Sequence, residues 1–255
     1  MNPLLNRAVF RSARAFGRRT EMVPVIEVRK LAAGYGRGIV IVPELDLEVH
    51  AGEVVALLGA NGAGKTTTIL TLAGELPALG GELRWNGKQT AAPLHWRARN
   101  GLALITEERA VLMRMTVADN FRVTGCDPEK ALKLFPELQA HLGRKVGLLS
   151  GGQQQMLALA WTLARPTTLL LADELSLGLA PIVVERLLRA VREAADSGVA
   201  VLLVEQHIHK AMQIADRAYV MQRGRIRLAG RAEDLRERID EIQASYLSVA
   251  RDGIG

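Results

Sequence analysis

The chain has 255 residues, 49% of them apolar and 24% charged, with a formal net charge of +6. Such a chain can bury one substantial core, and no apolar run approaches the roughly 18 residues that would span a bilayer as a helix. The single cysteine, Cys126, excludes a disulfide framework and a cysteine zinc site, and reads as an ordinary surface or half-buried thiol in a reducing compartment.

Residues 1–23 carry Arg7, Arg11, Arg14, Arg18 and Arg19 against Glu21, a net of +4 that leaves only +2 for the rest of the chain. The body is therefore nearly neutral, and no nucleic-acid partner is expected. Four of these arginines recur at helical spacing, which fits a membrane-surface helix or a targeting peptide. A disordered extension is the simpler expectation, with translation able to start at Met22.

Val25 to Arg29 and Pro43 to Val49 alternate as strands do, around a turn-rich loop at Gly34-Tyr35-Gly36-Arg37-Gly38. Glu53 to Leu58 is a short buried strand, and Lys65 to Ala73 a helix. Gly81 to Gly87 reads as a strand ending in a turn, and Gly101 to Ile105 as another buried strand. From Val117 to Leu148 the pattern turns helical, with Asp127 as a cap and Pro128 at the first helical position. A helix over Gln154 to Leu163 follows. Then strands at 169–172, 199–204 and 218–221 alternate with helices at 182–195 and 208–215. That alternation predicts a parallel sheet covered on both faces.

Three motifs carry chemistry. Gly59, Gly64, Lys65 and Thr66 satisfy G-x-x-x-x-G-K-[ST] between a strand and a helix. A glycine-rich turn lets successive N–H groups point at phosphate oxygens, and the helix start adds its dipole. Lys65 would reach the β and γ phosphates and the Thr66 hydroxyl would ligate Mg²⁺. Leu149-Ser-Gly-Gly-Gln153 opens a second helix with a second anion-binding start. One nucleotide rarely needs two such caps, so the second suits a nucleotide held by another copy. Leu169-Leu-Leu-Ala-Asp-Glu174 ends a strand in two carboxylates.

Together these three stretches resemble the ATPase subunits of ABC transporters, over residues 24 to about 248. Gln154-Gln-Met-Leu-Ala-Leu-Ala160, Ser176-Leu-Gly-Leu-Ala-Pro181, Val204-Glu-Gln206 and Ala215-Asp-Arg-Ala-Tyr-Val220 narrow the resemblance to branched-chain amino acid importers, and to the second of their two ATPases. The resemblance implies an α/β P-loop NTPase: a mainly parallel core, an antiparallel β lobe and a helical insertion at about 108–165, with a short tail at 249–255. It implies ATP and Mg²⁺ as ligands. Tyr35 would stack on adenine, and Gly59, Asn61, Gly62, Gly64, Lys65, Thr66 and Thr67 would hold the phosphates. Asp173 would hold Mg²⁺ through water, and Glu174 would be the general base. Ser150, Gly151, Gly152 and Gln153 would face the nucleotide of the dimer partner. The implied setting is the cytoplasmic face of the membrane. The subunit would dock on separate permease subunits and, through them, serve a solute-binding protein.

Four positions depart from the general pattern of the family. Glu107 stands where a glutamine is usual, Leu175 follows the base in place of proline, and Ala180 replaces an aspartate. Gln206 aligns with the switch histidine, with His207 one residue later; either can contact the γ-phosphate, and Gln206 is the expected sensor. The competing functions are a soluble ABC ATPase of DNA repair or translation and a P-loop kinase. The first lacks its usual coiled coils, tandem domains or basic patches here, and the second would not need Ser150-Gly-Gly.

Overall fold

The computed structural model describes residues 23–36, 38–106 and 110–239. The arginine-rich leader with Met22, Arg37, Glu107 and the 249–255 tail lie outside the described residues.

Ten strands and eight α-helices are described. The chain opens with β1 (Ile26–Tyr35), β2 (Ile39–Val49) and β3 (Val54–Leu58), then α1 (Lys65–Ala73). Next come β4 (Gly80–Trp85), β5 (Lys88–Gln89), α2 (Leu94–Arg99) and β6 (Leu102–Ile105). The helical stretch contains α3 (Val117–Thr124), α4 (Pro128–Leu134), 3₁₀ turns at Pro136–His141 and Val146–Leu148, and α5 (Gly151–Leu163). The last third alternates: β7 (Leu169–Asp173), α6 (Pro181–Asp196), β8 (Ala200–Glu205), α7 (Ile208–Ile214), β9 (Arg217–Gln222), β10 (Arg225–Arg231) and α8 (Ala232–Arg236).

Strands β9, β3, β8, β7 and β6 run parallel in that order, with β10 antiparallel at the edge beside β9. Every residue of β3, β7 and β8 is buried, as a parallel sheet with two covered faces requires. The pleat sends alternate side chains to opposite sides. Val54, Ala56, Leu58, Leu170, Ala172, Val201 and Leu203 pack with α3 to α7. Val55, Leu57, Leu169, Leu171, Leu202 and Val204 pack with α1 and the second sheet, which is antiparallel in the order β2-β1-β4-β5. Each fully buried leucine of these layers contributes about 1.5–3 kcal/mol.

Local signals set the helix ends. Thr116 caps α3 by accepting from Asp119 N–H, and Asp127 caps α4 by accepting from Glu129 and Lys130 N–H, with Pro128 at the first helical position. Arg97 of α2 is buried and donates to Ala92, Thr71 and Leu72 carbonyls, closing the C-terminal end of α1.

Three expectations are corrected. The loop placed at 34–38 shrinks, because β1 continues through Tyr35 and β2 begins at Ile39. Pro43 sits inside β2, which tolerates the missing donor because it is an edge strand. Cys126 is 8% exposed and belongs to the core with Phe121; burial pushes its thiol pKa up. Strand β10 and helix α2 are additions to the elements expected from the sequence. Among the described residues, no helix is long and apolar enough to cross a membrane.

Candidate functional site

The loop from Gly59 to Gly64 joins β3 to α1 at the C-terminal end of the parallel strands. Gly62 and Gly64 hold φ of +77° and +105°, the left-handed region that favours glycine. A Cβ at Gly59 would lie 2.6 Å from Met221 O, so the loop is seated directly on the end of β9. Gly64 is the N-cap of α1 and has no side chain with which to cap it. The first N–H groups of the helix thus open into a cradle suited to an anion. Asn61, Gly62 and Thr66 are exposed on it, while Thr67 is buried.

Lys65 is 4% exposed and folds back over the loop. Its Nζ donates to Gly59 O at 2.9 Å and Ala60 O at 3.2 Å, and lies 3.6 Å from Glu174 Oε1. The cation and the carboxylate thus meet at the mouth of the cradle. Asp173, the last residue of β7, is 4% exposed, and Glu174 follows it at φ +50°. A left-handed conformation costs a residue with a Cβ about 1–2 kcal/mol. Glu174 N–H donates to Val204 O at 2.9 Å, which ties the turn to β8. The Thr66 hydroxyl and the Asp173 carboxylate are hard oxygen donors, the type that Mg²⁺ takes. Among the described residues no group of three or more His, Cys, Asp or Glu could hold a metal ion. Mg²⁺ at this place would share the phosphates of its nucleotide.

Tyr35, 47% exposed, stands at the tip of the β1–β2 hairpin. The β2 arm of that hairpin reaches the loop: a Cβ at Gly64 would lie 3.0 Å from Val42 and 3.4 Å from Ile41. Gln206 is half-buried after β8, and His207 is the exposed N-cap of α7 with no side-chain capping bond. Ala180 is likewise a bare N-cap, at α6.

The second motif is built differently. Ser150 caps α5 in a reciprocal box: its hydroxyl accepts Gln153 N–H at 3.3 Å, and Gln153 Oε1 accepts Ser150 N–H at 3.0 Å. Gln153 Nε2 also meets His141 Nε2 at 2.9 Å. The Gln153 side chain is thus engaged in shaping the helix start. Ser150 and Gly151 remain partly open, and Gly152 is buried against α6. Helix α5 belongs to the layer on one face of the parallel sheet, and α1 to the layer on the other. Motif reading missed one pair. Glu205, at the end of β8, is 1% exposed and accepts from both Ser176 N–H and Ser176 Oγ. A charged residue closing a run of six apolar ones was its only signal.

The family model described as ABC transporter matches residues 42–176. The high-affinity branched-chain amino acid transport ATP-binding protein BraG of Pseudomonas aeruginosa is 39% identical over 207 residues, 77% of this chain and 88% of that protein. The lipopolysaccharide export system ATP-binding protein LptB of Acidithiobacillus ferridurans is 32% identical over 225 residues, 84% and 93% of the two chains. The fold is shared with the ADP conformation of MJ1267, an ATP-binding cassette of an ABC transporter, at a TM-score of 0.78 and 24% identity, over 88% of this chain and 98% of that one. With the family model covering more than half of its length, and a relative 39% identical over 77% of it, the chain belongs to the ABC transporters as an ATP-binding, ATP-hydrolysing subunit.

Proposed function

We propose that this ATPase powers an importer of branched-chain amino acids or a related small polar solute, working in pairs on the cytoplasmic face of the membrane. The observation that carries the paired mechanism is the placement of two anion-binding helix starts, at Gly64 and Ser150, in layers on opposite faces of one sheet. Each suits a different nucleotide. The P-loop of one copy and Ser150-Gly151-Gly152 of the other close on the same ATP. The partner is a second copy or a homologous ATPase.

Within each site the chain's own residues divide the work. Tyr35 stacks on the purine. N–H groups from Gly59, Asn61, Gly62, Gly64, Lys65, Thr66 and Thr67 line the phosphates, and Lys65 gives up its loop carbonyls for the β and γ oxygens. Thr66 and Asp173 would hold Mg²⁺, which would neutralise charge on the phosphates. Glu174 takes a proton from the water that attacks the γ-phosphorus, as the bond from that phosphorus to the β–γ bridging oxygen breaks and ADP leaves. Gln206 donates to the γ-phosphate, with His207 beside it. Closure by the partner excludes solvent and gates hydrolysis.

The solute and the direction of transport rest on likeness: 39% identity to BraG supports branched-chain import over lipopolysaccharide export, where the likeness is 32%. Permease subunits would bind the ATPase directly, and a solute-binding protein would join through them. Gentle purification of the tagged chain from native membranes tests this. Polytopic proteins arriving with a second ATPase and a solute-binding protein that takes up leucine, isoleucine or valine are the expected result. Membrane partners of a lipid exporter would redirect the proposal to export. Only soluble partners would turn it to a non-transport ATPase of DNA repair or translation.

A further inference from the structure

Strand β8 ends in a carboxylate that the mechanism above does not use. Glu205 lies behind the turn that carries Glu174, and both of its oxygens are engaged by one residue. Oε1 accepts Ser176 N–H at 3.1 Å, and Oε2 accepts the Ser176 hydroxyl at 2.9 Å. Ser176 is 3% exposed and Glu205 1%, so water does not compete for these bonds. Leu175, between Glu174 and Ser176, is 1% exposed and anchored in the core. One residue earlier on the strand, Val204 O accepts Glu174 N–H. Three hydrogen bonds thus fasten residues 174–176 to the last two residues of β8.

The turn needs fastening. Glu174 sits at φ +50°, and the residue after it is Leu175, whose φ is not fixed by a ring as a proline's would be. A carboxylate buried this deeply is costly unless fully hydrogen-bonded, and the Ser176 fork supplies the bonds. Glu205 is also joined by one peptide unit to Gln206. It therefore stands between the turn that bears the base and the segment assigned to sense the γ-phosphate.

We infer that Glu205 is a positioning residue, which through its fork to Ser176 sets the Glu174 carboxylate in register with Gln206 and His207. This rests on the proposed role of Glu174 as the base. The full chain is compared with its S176A, E205Q, S176A/E205Q and E174Q variants for MgATP turnover, KM for ATP and thermal midpoint. Each single change at the fork lowers kcat by about tenfold, less than the roughly 10²-fold that a 1 Å misplacement brings. KM stays within about twofold, and the midpoint of S176A falls only as far as the loss of one buried hydrogen bond brings, with kcat read well below it. The double variant is no slower than the slower single, because both changes act on the same fork. Wild-type kcat in S176A and E205Q beside an inactive E174Q overturns the inference and leaves the base in place. A joint loss of kcat, KM and midpoint also overturns it, making the fork structural. Full turnover by E174Q overturns the base assignment and this inference with it. Should E205Q not fold, S176A, which removes one hydroxyl, decides alone.

Discussion

Lys65 Nζ and Glu174 Oε1 lie 3.6 Å apart at the mouth of the phosphate cradle, with Lys65 also donating to Gly59 O and Ala60 O. The lysine is thus supplied with acceptors that phosphate oxygens can replace, while the carboxylate keeps its place beside them. Lys65→Ala removes the cation and should abolish triphosphate binding, measured by equilibrium titration with MgATP. Glu174→Gln should still bind, turn over about 10²- to 10⁴-fold more slowly, and accumulate as an ATP-bound dimer on size exclusion. Unchanged turnover in that variant would refute the base.

Gln206 is half-buried and His207 exposed at the start of α7. Gln206→Ala should therefore slow steady-state hydrolysis more than His207→Ala. The reverse order would reassign the γ-phosphate contact to the histidine.

Burial raises the Glu205 carboxyl above the ordinary range; the Ser176 bonds and the nearby His207 pull it down in part, and Glu174 adds to the rise. A raised folded pKa contributes stability that is complete below the unfolded value and is lost as pH rises through the folded value. Thermal midpoints measured across this window should therefore show E205Q gaining on the wild type as pH rises. A constant difference would mean that Glu205 does not titrate differently on folding.

Gly152 is small because α6 needs the room: a Cβ there would lie 2.8 Å from Val183 Cγ1. Val183 is β-branched and cannot swing away freely. Gly152→Ala should cost about 1–3 kcal/mol in denaturant unfolding and displace the start of α5, lowering turnover as well.

Arg97 spreads its guanidinium over three carbonyls that include the end of α1. A single ammonium cannot make that fork, so Arg97→Lys should lose about 2 kcal/mol, read from urea titration, without changing which nucleotide is bound.

The P-loop, the Asp173-Glu174 strand end and the Ser150 helix start were legible because each is a local pattern, in which glycine spacing and adjacent apolar runs carry the signal. The sheet assignment followed from alternation of strands and helices. What was misread depended on residues far apart in the chain. Gly34 looks like the start of a loop, but it lies inside β1, where a Cβ would come within 1.9 Å of Ile39 O; the glycine serves close approach of β2. Pro43 looks like the start of a strand and is in its interior, tolerated by an edge position that only the finished sheet defines. Glu205 gave no sign of its partner, because Ser176 lies 29 residues away. The bonds from the Gln153 side chain to Ser150 and His141 were likewise not legible, because the helix start and the turn that holds His141 meet only in the folded chain.

Under the proposed pairing, two helix starts in layers on opposite faces of one sheet would also make the rate of this ATPase a matter of mass action. A chain diluted far below the dissociation constant of the pair keeps its own cradle but lacks the wall that the other copy supplies. Turnover per chain then climbs with chain concentration and levels off once pairs predominate. Any scaffold that holds two copies side by side replaces that bulk concentration with a local one, and removes the dependence without adding a single contact to the nucleotide.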